Sequence, residues 1–503
     1  MFNRVSAEKL QSRLDADFYK KEFIANDELL KASGAVRLNS LIDVTKSNYG
    51  VLPKSEEYVT SGVPLIRGGD LSFGKVNPPE VHAPTSYAGG KGTAEEGDIL
   101  VLIKGACIDG PEGVARVGES EKGFIFNGSC YRLAFKDRDV DGYFFIAYSQ
   151  ARQFLMQKKR QVANTGISYN DEDSILGYWV PNLHQITRRY IGDKVRQAER
   201  LREGGKLVHS RVLDKFESLL GCYDKQSKSF ERVSPDLLED RLDQNHYKTS
   251  LLSCFKLLQS KKHVSLADKK YFTGLTDGDH GNPKYGMGPI YLRASEMKEG
   301  LISIDSVARV DPEYAKGVSI SCWAKADDII FSVVGTLGLT AIVDSRTSGL
   351  MSRGVAKVFS NILPGYYVKA FFKTHYFQAQ LERHSVGSVQ RGVYLSALEK
   401  IIVPIFDQSI LDEIAEGERL ADDMVKSATQ LTNAAKLLVE ALIEGQLTEA
   451  ELLTAEKALQ AGNDRLDRVI LSRLNTDGID GQGPALFGDL DELYQLLSLA
   501  EGE

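Results

Sequence analysis

The chain contains itself twice. Arg13-Leu14-Asp15-Ala16-Asp17-Phe18-Tyr19 returns as Arg241-Leu242-Asp243-Gln244-Asn245-His246-Tyr247, and related segments follow in the same order in both halves. Residues 62–71 (GVPLIRGGDL) align with residues 288–297 (GPIYLRASEM), which pairs Arg67 with Arg293 and then Gly74 with Gly300. Asp98-Ile99-Leu100-Val101 aligns with Asp328-Ile329-Ile330-Phe331, residues 143–147 with 366–370, and Val180-Pro181 with Val403-Pro404. The offset stays between 223 and 230 residues, far too long for a solenoid repeat. Two tandem copies imply a pseudo-twofold molecule with two similar surfaces, which suits a target with two half-sites.

Each copy of about 220 residues is long enough to bury its own core, and 503 residues predict two or three domains. No apolar run is long enough to cross a bilayer, and the N-terminus does not read as a signal peptide. The five cysteines (Cys107, Cys130, Cys222, Cys254, Cys322) are scattered with no C-x-x-C pair, so reduced thiols in a cytoplasmic protein are expected. The net charge of −7 is unevenly placed. Residues 461–503 hold 3 basic and 9 acidic side chains, and residues 408–444 hold 3 and 8. Residues 185–221 hold 9 and 5, while the bodies of the copies are near neutral. A local basic face is compatible with this distribution but not required by it.

The pattern predicts an α+β fold of two strand-rich bodies, each followed by a long helix. Short apolar runs punctuated by glycine at 63–66, 99–103, 329–334 and 339–343 read as strands, and 143–156 and 366–381 as helices. In 408–444, Leu420, Met424, Ala428, Leu431, Ala435, Leu438 and Leu442 make a sustained heptad seam. In 185–221, Val195, Ala198, Leu201, Val208, Val212, Phe216 and Leu219 keep most of it, with Gly204-Gly205 as an interruption. About 37 residues at 1.5 Å each give helices roughly 55 Å long. One helix is basic and the other acidic, which favours coiled-coil pairing of the two with each other over pairing of each with itself, and over packing of each on its own body. The boundaries read as body 1 over 1–184, first helix 185–221, linker 222–240, body 2 over 241–407, second helix 408–460 and acidic extension 461–503. Within the extension, 475–488 reads as loose. Residues 490–499 read as a short amphipathic helix, either docking on a partner or part of a mobile tail.

These fragments together resemble the DNA specificity (S) subunit of type I restriction–modification systems. In the first copy the resemblance rests on residues 62–71 and Gly97-Asp98-Ile99-Leu100. In the second it rests on Thr276-Asp277-Gly278-Asp279-His280, Asp328–Phe331 with Gly335-Thr336-Leu337-Gly338, and the helix end 437–447 (LLVEALIEGQL). The resemblance implies two target-recognition domains, each reading half of a bipartite DNA sequence, with antiparallel helices as the spacer. It implies no catalysis by the chain itself. Two modification subunits would methylate adenine N6 with S-adenosylmethionine, a restriction subunit, where one exists, would use ATP, and other defence subunits are possible partners. The alternative is a scaffold in an antiviral defence complex with weak or non-specific DNA reading.

The absence of catalytic motifs agrees with that implication. Asn77-Pro78-Pro79-Glu80 approaches the adenine methyltransferase motif but ends in a carboxylate where a base-stacking aromatic is needed. Gly89-Gly90-Lys91-Gly92-Thr93 lacks the spacing of a phosphate loop. Asp277-Gly278-Asp279-His280 reads as a solvated turn before it reads as a metal site, so no metal is expected. For contact with double-stranded DNA, basic, amide and hydroxyl residues on predicted loops are the candidates, because phosphates need charge and base edges need forked donors or amides. In the first copy these are Ser47, Asn48, Tyr49, Lys54, Arg67, Lys104, Asn127, Asn164, Ser168 and Tyr169. In the second they are His280, Asn282, Lys284, Tyr285, Arg293, Arg353, Gln390 and Arg391. Surface ion pairs and turn contacts are the competing roles for each. Lys158-Lys159-Arg160 reads as plain helix surface.

Overall fold

The repeated segment folds the same way both times in the computed structural model of the chain. Asp15 Oδ1 accepts from Phe18 N at 3.1 Å, Arg13 Nε donates to Asp15, and Tyr19 OH donates to Arg13 O at 2.6 Å. Asp243 Oδ1 accepts from His246 N at 3.2 Å, Arg241 Nε donates to Asp243, and Tyr247 OH donates to Arg241 O at 2.6 Å. The aspartate caps a short 3-10 turn and the tyrosine closes it, so the turn follows from residue type alone. The described residues are 10, 13, 15–105, 108–162, 169–225, 233–235, 238, 239, 241–298, 300–303, 307–387 and 390–502.

The chain forms two compact units, residues 1–201 with 427–502, and residues 202–426. In the first, a six-stranded sheet is built around Ile99–Leu102, flanked by Cys130–Leu133 and Val114–Arg116. In the second, Ile329–Ser332 lies between Val355–Ser360 and Thr340–Ile342. The registers match: Ile99 pairs with Leu133 and Arg116, and Ile329 with Val358 and Ile342. A second sheet in each unit repeats a parallel pair, Val63–Ile66 beside Ile125–Phe126 and Tyr285–Leu292 beside Gly349–Met351. These central strands are buried on both faces, which explains why they read as continuous apolar runs and not as alternation.

The helices predicted over 143–156 and 366–381 are each two helices. Val140–Ser149 is followed by Arg152–Gln161, and Gly365–Phe372 by His375–His384. Ala151 and Thr374 are extended at the breaks, and Thr374 Oγ1 caps Phe377 N. The apolar pattern runs on through both breaks, so periodicity alone could not find them.

The long helices are Gln185–Leu220 and Gln408–Ile443, and the unit boundary falls inside both. Within the second unit they pair antiparallel: His209 meets Glu418, Val212 lies over Gly417, and Lys215 meets Glu413. Gly204-Gly205 does not interrupt the first helix. A Cβ at Gly205 would lie 3.1 Å from Ala421 O and 3.2 Å from Val425 Cγ2, so this glycine lets the two helix backbones come close. Val195, Ala198, Leu201, Val208, Val212, Phe216, Met424, Leu431 and Leu438 of the predicted seam are buried, whereas Leu420 and Leu442 are only half-buried. Phe216 enters the core of the second body, with ring centroids 5.6 Å from Tyr367 and 5.8 Å from Phe371.

The span 408–460 is not one helix. Gly445 adopts a φ of 71° and ends the second long helix, and Thr448 with Glu451 forms a capping box that starts Glu449–Gln460. The extension is folded, including the stretch expected to be loose. Arg465–Ser472 and Leu490–Gly502 are helices, and Leu474–Asn475 pairs with Gly478–Ile479. Leu471, Leu474, Phe487, Leu493 and Leu496 are buried, and Gln430 Nε2 donates to Leu486 O at 2.8 Å. At its centre the buried Asp467 accepts from Tyr190 OH at 2.5 Å, from Lys194 Nζ at 2.7 Å and from Tyr494 OH. Burial alone would raise the Asp467 carboxyl, but Lys194 and the two tyrosines hold it below the ordinary carboxylate range. The extension therefore docks on its own chain, an arrangement outside the two sequence readings.

Candidate nucleic-acid interface

In the second unit five of the eight candidates line one open groove of about 450 Å3: Asn282, Tyr285, Arg293, Arg353 and Gln390, together with Asp279. Backbone bonds assemble it from distant segments. Asp279 N donates to Met351 O, Ser352 N to Leu292 O, and Val333 N to Gly354 O. Tyr285 is 61% exposed. Arg293 is largely committed, since its guanidinium binds the buried Glu296 at 2.5 Å while its own N–H donates to Glu296 Oε2. Arg353 is exposed and makes no ion pair or hydrogen bond among the described residues. Asp279 accepts a hydrogen bond from Tyr314 OH, and burial plus that carboxylate push the Tyr314 hydroxyl up to about 12. His280 binds Asp277 at 2.8 Å on the exposed turn, and Lys284 is exposed beside the groove-lining Pro283 and Tyr285. Arg391 is exposed and shares Glu382 with Lys248.

The first unit builds the corresponding edge. Asn127 N donates to Ile66 O, Gly128 N to Val51 O, Ile103 N to Ser129 O and Asn170 N to Ile103 O. These bonds bring Tyr49, Arg67, Lys104, Asn127 and Tyr169 to neighbouring strand ends. Tyr49 is pushed up to about 12 by burial and by the Tyr169 hydroxyl beside it. Arg67 N donates to Asp70 Oδ2 at 2.7 Å, the same turn that Arg293 makes with Glu296. Lys54 and Lys104 are exposed. Asn164 and Ser168 lie outside the described residues.

Several candidates are committed to hydrogen bonds within the chain. Ser47 is buried, donating to Asp43 O and accepting from Ala134 N, so it stabilises a turn and presents nothing outward. The Asn48 amide is bound on both sides, by Lys91 O and by Arg132 Nη2. Asn127 Oδ1 accepts from Ser129 N in a turn of its own. The surface reading of Lys158-Lys159-Arg160 fails for two of the three. Lys158 is 0% exposed and donates to Gly110 O, and the buried Arg160 binds Asp27 and Phe18 O. Asn77-Pro78-Pro79-Glu80 is a loop after the strand Gly74–Val76, tied at its start by Asn77 N donating to Asp70 O at 2.7 Å.

Among the described residues no three His, Cys, Asp or Glu side chains gather as a metal site would require. Among the described residues no helix is long and apolar enough to cross a membrane. What the two edges offer is a matched backbone scaffold carrying unlike polar side chains. That chemistry suits contact with a polymer of charged backbone and polar edges.

No protein-family model matches the chain, and no curated protein matches it. Among solved structures it is similar to the S subunit of a type I restriction–modification system from M. genitalium. That similarity has 14% identity, covers 81% of this chain and 94% of that one, and has a TM-score of 0.37. It is similar to a chain from a structural study of complex assembly and conformational transition of the type I R–M system (13% identity, 84% and 96% covered, TM-score 0.27). A third similarity is to the HsdS subunit from Thermoanaerobacter tengcongensis (14% identity, 85% and 95% covered, TM-score 0.26).

Proposed function

We propose that this chain is the DNA specificity subunit of a type I restriction–modification system. It binds double-stranded DNA through the two duplicated edges, and each edge reads one half of a bipartite, asymmetric target. One observation carries the reading: the same backbone bonds position both edges, yet the side chains they present differ. Asn282, Tyr285, Arg353 and Gln390 stand in one copy, and Tyr49, Lys104 and Tyr169 in the other. A duplicated scaffold with unlike side chains is what reading two different half-sites requires. The chain supplies recognition and no catalysis. Two modification subunits bring adenine-N6 methyl transfer from S-adenosylmethionine, and a restriction subunit, in systems that have one, brings ATP-driven cleavage.

The test is a map of modified adenines in cells with and without the chain. A bipartite motif should carry the mark and lose it on deletion. Replacing residues 241–407 by another body should change only one half of that motif. A palindromic motif, or a complex that binds all duplexes equally at every salt concentration, would instead support the defence scaffold.

A further inference from the structure

We infer that Arg353 reads a guanine in the half-site taken by the second copy, and that the first copy presents Leu52 to a thymine methyl at the equivalent place. The inference rests on the DNA-reading proposal and adds the base chemistry at one position of each half.

Three backbone relationships fix the equivalence. Ser352 N donates to Leu292 O as Asn127 N does to Ile66 O, both at 2.9 Å. Val333 N donates to Gly354 O at 2.8 Å as Ile103 N does to Ser129 O at 2.9 Å. Asp279 bridges Ser352 in parallel, as Val51 bridges Asn127. Arg353 therefore occupies the place of Gly128, and His280 that of Leu52. A Cβ on Gly128 would lie 2.5 Å from Leu52 Cδ2, so the leucine fills the space that a side chain at 128 would need. Leu52 is 81% exposed, an apolar side chain held out towards solvent.

The two groove arginines are not alike. Arg293 is bound to Glu296, whereas the fork of Arg353 is uncommitted among the described residues. A guanidinium fork matches the O6 and N7 acceptors of guanine, and an aliphatic side chain matches the methyl of thymine. Asp279 lines the same groove and disfavours a phosphate there, which leaves the base edge as the target of Arg353.

The experiment selects bound sequences from a random duplex pool with the full-length chain and its co-purified subunits. Wild type should return a two-part consensus. Arg353→Gln and Arg353→Lys should each erase a guanine preference at one position of one half, by roughly 5- to 150-fold, with the other half unchanged. Arg353→Lys keeps the charge but not the fork, so retention of the guanine by that variant would make the contact a phosphate contact and overturn the inference. Leu52→Ala should relax a thymine in the opposite half only. An unaltered consensus in Arg353→Gln overturns the inference and leaves the DNA-reading proposal standing. A wild type without any consensus overturns both.

Discussion

Gln157 and Gln380 grip the same strand by the same two bonds, one in each copy. Gln157 Nε2 donates to Trp179 O at 3.0 Å and its Oε1 accepts from Trp179 N at 2.7 Å. Gln380 Nε2 donates to Ile402 O at 3.0 Å and its Oε1 accepts from Ile402 N at 2.9 Å. Each holds the strand that leads out of its body towards a long helix. Replacing Gln380 by leucine strands a buried N–H and a buried C=O, at about 1–3 kcal/mol each. Urea unfolding of Gln380→Leu should show a loss of about 2–6 kcal/mol for the two groups together, and a neutral result would mean the paired bonds are not formed.

Gly205→Ala tests the close approach of the helices. Alanine raises helix propensity by about 1 kcal/mol over glycine, but its Cβ would press on Ala421 O at 3.1 Å. Backbone cannot yield as a flexible side chain can, so a net destabilisation of about 1–3 kcal/mol is expected. A higher melting temperature for Gly205→Ala would show that propensity wins.

Acid should unlock the junction around Glu418. This buried carboxylate meets His209 at 2.7 Å, Lys373 at 2.9 Å and Lys369 at 3.5 Å. Burial pushes the Glu418 carboxyl up, but His209 and the two lysines outweigh it and hold it at about 2. Its folded pKa is thus depressed below the unfolded value. The stabilisation is full above about pH 4.3 and is lost as pH falls through about 2. Glu418→Gln should flatten that part of the stability–pH curve measured by circular dichroism. An unchanged slope there would dissociate Glu418 from acid stability.

The docked extension depends on Asp467. Asp467→Asn leaves the buried Lys194 without its counter-charge, a change that typically costs about 3–5 kcal/mol. Hydrogen exchange over residues 465–502 should then accelerate markedly, with residues 241–407 unaffected. Unaltered protection of 465–502 would show that apolar burial alone holds the extension.

Much of this architecture was legible in the sequence, for physical reasons that also mark the limits. Strands such as Ile99–Leu102 and Ile329–Ser332 are apolar because both faces are covered, and the heptad seam announced the long helices. The fold gathers five of the forked, amide and aromatic candidates into one groove, including Arg353 and Gln390. Ser47, Lys158, Arg160 and the two buried glutamines were misjudged or missed because polarity was equated with exposure. Each is polar and internal, satisfied by backbone groups that only the folded chain brings near. The extension was missed for the opposite reason: its apolar residues are too sparse to announce a core until Tyr190 and Lys194 supply the other side.

The unit boundary inside both long helices bears on the order in which the chain matures during synthesis. Residues 202–426 are contiguous, so the second unit has all its parts once they have left the ribosome. The first unit emerges earlier but waits for residues 427–502 before it can close. At about 5–20 residues per second, that wait is on the order of tens of seconds. The half that is born first is therefore the half that finishes last. Throughout that interval Tyr190 and Lys194 lack Asp467, the carboxylate that receives both of them in the finished unit.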